Sequence, residues 1–66
     1  MSVAKVIEIN SASEESFEDA IEKGISKAGE TVRDVRGAWV ADQKVTVSAG
    51  RIEEYRVDLK VSFVLD

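Results

Sequence analysis

The clearest pattern in the chain runs from Glu54 to Leu65. Tyr55, Val57, Leu59, Val61, Phe63 and Leu65 alternate with Glu54, Arg56, Asp58, Lys60, Ser62 and Val64. Period-two alternation of this length predicts a long antiparallel strand with one apolar and one polar face. A first strand is predicted over Val3 to Ile9, rich in branched residues, with Val3, Ile7 and Ile9 on one face and Val6 and Glu8 on the other. Between them the period changes. Phe17, Ala20, Ile21, Gly24, Ala28 and Val32 form one helical stripe, with Ile25 at its edge and charged residues around the rest.

The helix start is marked by Asn10-Ser-Ala-Ser-Glu-Glu-Ser16. Ser13 is the expected cap, with Glu14 and Glu15 favoured by the helix dipole, and Ser11 with Glu14 is an alternative capping box. The predicted helix is roughly 19 residues and ~28 Å long. Asp19 and Lys23 are spaced for an ion pair. Gly24 sits mid-helix on the buried stripe, at a propensity cost of about 1 kcal/mol against alanine. That position implies close approach of the helix to a sheet, with Ala20 and Ala28 equally small beside it.

A second strand is predicted from Val35 to Val47. Gly37, Trp39, Ala41 and Gln43 alternate with Arg36, Ala38, Val40 and Asp42, and then the apolar phase changes to Val45 and Val47. A bulge near Asp42 to Lys44 would reconcile the two phases. Ser48-Ala49-Gly50 reads as a hairpin turn with Gly50 left-handed. The fold class is therefore α+β, a β-α-β-β chain with one helix on a three-stranded antiparallel sheet. Trp39 and the polar strand faces point away from the helix.

Size changes the meaning of that leftover face. Sixty-six residues make one domain, residues 1–66, and a lone core of this size is marginal. There is no cysteine to supply a disulfide or thiolate site, and no histidine for imidazole ligation or a serine-histidine-aspartate triad. Self-association remains as the support, and Trp39 is read as an interface aromatic or, alternatively, a stacking surface. Thirteen acidic against nine basic residues, a net charge of -4, argue against nucleic acid. No apolar run approaches a membrane span and no signal-peptide core is visible, so a cytoplasmic protein is expected. No carboxylate or lysine spacing marks an active site, and no enzyme activity is expected.

The run Lys5-Val-Ile-Glu-Ile9, the SxSEES segment, Gly29 to Val35, Ala38-x-Val40-x-Asp42-Gln43, and Glu53 to Leu65 together resemble the dodecin family. The resemblance covers Val3 to Leu65. It implies a protomer that assembles as a hollow dodecamer of twelve subunits and stores a ligand, typically the flavins riboflavin or FMN, without catalysis. In flavin-binding members a tryptophan stacks on the isoalloxazine and a glutamine reads its edge. The matching positions here are Gly37 and Arg56. Glycine offers no π surface, and a guanidinium has donors but no acceptor. Trp39, about 6.6 Å from Gly37 on the same face, and Gln43 complete the residues considered for a cofactor.

These departures resemble the calcium dodecin branch. Calcium takes several hard oxygens, and the chain lacks the EF-hand spacing. Glu14, Glu15, Asp42, Glu53 and Glu54 are candidate ligands, chosen on oxygen chemistry alone, with copies around a symmetry axis completing the shell. The expectation is a homo-oligomer that binds calcium near subunit contacts, with flavin as the alternative.

Overall fold

The last strand, β3 (Arg51–Leu65), is the centre of the sheet, flanked by β1 (Val3–Ser13) and β2 (Val35–Ser48). Both flanking strands run antiparallel to it. In this computed structural model residues 3–65 are described. β3 is central because its alternation is the most complete. Val57, Leu59, Val61 and Phe63 are all buried beneath the helix α1 (Phe17–Thr31). Ile7, Ile9, Val35 and Ala38 pack at the margins of that core.

The helix starts later than its sequence suggested. Ser16 is the cap, and its hydroxyl accepts from the Asp19 N–H at 2.9 Å. Ser13 is the last residue of β1 and Ser11 lies inside that strand. Strand pairing wins over capping here, because Ser11 and Ser13 stand opposite Val57 and Tyr55 in an unbroken ladder. Ser13 still serves the helix. Its buried hydroxyl accepts from the Glu15 N–H at 2.9 Å and the Ser16 N–H at 3.4 Å, and donates to Asp19 Oδ2 at 2.6 Å. Glu14 and Glu15 precede the cap, so the acidic residues of the first turn are Glu18 and Asp19.

Asp19 also meets Lys23 at 3.0 Å. The Ser13 hydroxyl and then Lys23 hold the Asp19 carboxyl below its ordinary value, and Asp19 raises Lys23 in return. The helix has 15 residues and ends at Val32, an extended C-cap whose N–H still bonds to the Ala28 carbonyl at 3.0 Å. Asp34, in the left-handed region at φ 56°, turns the chain into β2.

Gly24 explains how the helix lies so close to the sheet. A Cβ built there would stand 2.7 Å from Leu59 Cδ1 and 3.1 Å from Ser11 Cβ. Ala20, Gly24 and Ala28, the buried residues of the helix, form the small-residue seam.

β2 departs from regular pairing in three places, between Val35 and Gly37, Val40 and Asp42, and Thr46 and Val47. The middle irregularity is the expected bulge, placed at Ala41 rather than at Asp42 to Lys44. It sets Val40 opposite Leu59 and Gln43 opposite Val57, so both join the helix side of the sheet. Gln43 therefore does not share a face with Gly37 and Trp39. β2 and β3 are joined by Ala49-Gly50, at φ 53° and 75°, with Ser48 paired to Arg51. Two left-handed central residues make a type I′ hairpin.

A helix of 15 residues spans only ~22 Å, and the molecule is 51 Å long. β1 ends opposite Tyr55, and Tyr55 meets Phe17 edge-to-face at 5.1 Å. Beyond that pair the β2–β3 hairpin continues as an uncovered two-stranded arm. The radius of gyration is 13.5 Å, against about 11 Å for a compact chain of this length.

Candidate functional site

The face of the sheet away from the helix carries the polar side chains, and the register places them in rows. Residues opposite each other in a ladder share a face. Val6, Ser62 and Gly37 form one row, and Glu8, Lys60 and Trp39 the next. Asn10, Asp58 and Asp42 follow, then Ala12, Arg56 and Lys44. Thr46 opposite Glu54 ends the series. The rows arise because β3's even-numbered residues from Glu54 to Ser62 are polar, and the bulge at Ala41 returns Asp42 and Lys44 to the same face as Trp39.

Around the third row lies an open cavity of about 190 Å³. Its walls include Glu8, Asn10, Asp42 and Asp58 at one side and Lys44 and Arg56 at the other. Asn10 Nδ2 donates to Asp58 Oδ1 at 3.1 Å, which fixes that carboxylate. A hydrogen bond to Asp58, and then the negative charge of Asp58, raise the Glu8 carboxyl above its ordinary value, opposed by Lys60. Two carboxyl groups drawn together in this way favour a shared proton or another cation. Asp42 Oδ1 accepts from the Gln43 N–H at 2.9 Å, a local turn-like bond made possible by the neighbouring bulge.

The residues expected for a cofactor are divided by this geometry. Gly37 and Trp39 are next-but-one neighbours on the outer face. Ser62 Oγ donates to the Gly37 carbonyl at 3.2 Å, and a Cβ at Gly37 would meet only that oxygen, at 3.4 Å. Trp39 is half exposed. Gln43 lies on the opposite face. Arg56 stands on the outer face, four β3 residues or about 13 Å from Lys60, the partner of Trp39. Its guanidinium bonds to Glu54 Oε1 at 2.9 Å.

The expected metal ligands also fall into separate places. Glu14 and Glu15 lie at the turn before the helix, where their charges act on Lys23. Asp42 stands beside Asp58, and Glu54 is tied to Arg56. Among the described residues of one protomer, no three carboxylates gather closely enough to hold a metal ion. Glu8, Asn10 and Asp58 were missed by the sequence reading. Alternation placed Glu8 and Asp58 on polar faces, but only the register brings them beside Asp42.

A family model for dodecin matches residues 3–66. The chain belongs to the dodecin family. It is 45% identical over 64 residues to the calcium dodecin of Mycobacterium tuberculosis, covering 96% of this chain and 89% of that protein. A crystal structure of a calcium dodecin from that organism, described as a calcium-chelating immunodominant antigen with a novel calcium-binding site, superimposes with a TM-score of 0.84. There the identity is 39%, over 98% of this chain and 93% of the other. The dodecin from Streptomyces davaonensis gives a TM-score of 0.94 at 29% identity, covering 98% and 96% of the two chains. Of these relatives, the mycobacterial one is nearer in sequence and the Streptomyces one nearer in backbone. Dodecins are homo-oligomeric binding and storage proteins. Among the described residues of this dodecin, no helix is long and apolar enough to cross a membrane.

Proposed function

We propose that this dodecin is a non-enzymatic cytoplasmic storage protein that assembles as twelve subunits and takes up calcium at carboxylates close to subunit contacts. The observation that carries the reading is the outer-face row Asn10, Asp58, Asp42 with Glu8 against it. Asp58 is aimed by Asn10, and the Glu8 carboxyl is already raised by its neighbour. A divalent cation would relieve that repulsion without a proton. One protomer offers too few oxygens for the six to eight that calcium takes, so copies from neighbouring subunits complete the shell. The 45% identity to a calcium dodecin supports the same choice.

Self-association has its own physical support. The protomer exposes 4832 Å², against roughly 4,100 Å² for a compact monomer of this mass. Val6, Trp39, Val47 and Ile52 are among the large apolar side chains left exposed.

Isothermal titration with calcium chloride tests the ligand. Binding by the native protein that is lost in Asp42→Ala and in Asp58→Asn is expected, with magnesium much weaker. Calcium heats that are identical in the native protein and both variants would exclude this row as the site. A flavin reading is favoured by one observation, the half-exposed Trp39 beside the open ground over Gly37. Quenching of riboflavin fluorescence on adding protein, abolished in Trp39→Ala, would select it instead.

A further inference from the structure

The outer face sorts its charges by row instead of alternating them. Asp42 stands directly opposite Asp58, and the next row sets Lys44 opposite Arg56. Like charges facing each other across a ladder destabilise it, whereas exchanging Lys44 with Asp42 would give two favourable pairs. We propose that the basic row is the second half of the binding site, and that a small oxyanion, phosphate, binds at Lys44 and Arg56 together with calcium at the carboxylates. The inference rests on the calcium reading and adds the chemical class of a co-ligand.

The pairings on this face show which charge is left over. Arg56 turns along its own strand to Glu54, at 2.9 Å, and not to Asp58. Asp58 is held by the Asn10 amide instead, at 3.1 Å. Lys60 stands opposite Glu8 in the ladder, charge for charge. Calcium at Asp42 and Asp58 would balance those two carboxylates. Lys44 then remains, and it has no ion-pair partner among the described residues. Thr46, two residues farther along β2 on the same face, adds a buried hydroxyl without a hydrogen-bond partner among them. The basic side thus holds one unmatched charge and a spare donor.

Size and geometry select a small oxyanion. The cavity that both rows line is about 190 Å³, below the ~300 Å³ at which pockets for drug-sized ligands begin. Successive rows on one face are about 6.6 Å apart. A calcium–oxygen bond of about 2.4 Å and a charge-assisted N–H···O bond of about 2.8 Å span most of that distance. The width of one tetrahedral oxyanion supplies the remainder. Arg56 keeps donors to spare beside the one given to Glu54, because a guanidinium carries several N–H groups in a fork that suits phosphate. Lys44 adds a point charge. A carboxylate has only two oxygens, whereas phosphate has enough to meet calcium and both basic groups at once. Its oxygens would also enter the calcium shell that one protomer leaves incomplete.

Isothermal titration with calcium chloride tests the pairing, with and without inorganic phosphate at matched ionic strength and below calcium phosphate saturation. In the native protein phosphate should tighten calcium binding about fivefold or more. Lys44→Gln alters an exposed side chain and removes only the basic half of the site. It should bind calcium alone at least as tightly as the native protein does, and lose the phosphate effect. Coupling is reciprocal, so calcium should tighten phosphate binding by the same factor, read from the phosphorus NMR linewidth of phosphate. An equal phosphate effect in both proteins overturns the proposal. So does its absence from the native protein while calcium still binds. Native protein that takes up no calcium in either buffer would instead bring down the calcium reading, and the co-ligand with it.

Discussion

Replacing Gly24 with alanine sets two effects of known size against each other. In an isolated helix the change stabilises by about 1 kcal/mol, because glycine loses more backbone entropy on folding. Here the new methyl would stand 2.7 Å from Leu59 Cδ1 and 3.1 Å from Ser11 Cβ. Ordinary carbon contacts lie at about 3.5–4.0 Å, so the overlap with Leu59 is roughly 1 Å. Leu59 is fully buried and Ser11 is fixed in the β1 ladder, so relief requires the helix to lift from the sheet. Overpacking of this kind costs about 1–3 kcal/mol. The net expectation is a loss of up to about 2 kcal/mol. Gly29 supplies the control within the same helix, since a Cβ there meets nothing within 4 Å. Gly29→Ala should stabilise by up to about 1 kcal/mol. For a domain of this size 1 kcal/mol corresponds to about 4–8 °C in Tm, so Gly24→Ala should melt at least roughly 5 °C below Gly29→Ala. Thermal unfolding followed by circular dichroism, at one protomer concentration because assembly shifts Tm, makes the comparison. If Gly24→Ala raises Tm as much as Gly29→Ala, the close approach is not what places glycine in the seam.

Ser13→Ala removes a buried hydroxyl that accepts two backbone N–H groups and donates to Asp19, and should cost about 1–2 kcal/mol in urea unfolding at pH 7. The depressed Asp19 carboxyl adds stability above its unfolded value of 3.8 that is lost as pH falls through its lower folded value, so the native protein should weaken on acidification below about pH 4. A smaller acid loss in Ser13→Ala would accompany the right cause; an unchanged one would not. Glu8 has the opposite sign. Its folded value lies above 4.5, so its charge destabilises at neutral pH and the penalty disappears as pH falls through the folded value towards 4.5. Glu8→Gln should therefore raise the urea midpoint at pH 7 and leave it little changed at pH 4; an equal gain at both would rule out the Asp58 repulsion as its source. Ala49→Asn places a residue tolerant of left-handed backbone at φ 53° in the type I′ turn and should stabilise by about 0.5–1 kcal/mol. A lowered Tm would contradict that account of the hairpin.

The order of elements was written in the chain because it depends on local periodicity. β3's alternation, the stripe of α1, the left-handed Gly50 and the phase break in β2 each involve residues close in sequence. Gly24 was legible for the same reason: a glycine on a buried stripe implies a near neighbour. The dodecin resemblance was legible too, through the same segments. The helix start was not, because Ser11, Ser13 and Ser16 are all good caps, and the choice fell to cross-strand pairing with Val57 and Tyr55. The sheet order and the site were decided by tertiary structure alone. Asn10, Asp58 and Asp42 come from three strands, and nothing local in any of them reports the other two. A bulge displaced by one residue moved Gln43 to the helix side and kept Asp42 opposite Asp58. Side-chain facing reverses at every residue of a strand, so a single inserted position redistributes a whole row of chemistry.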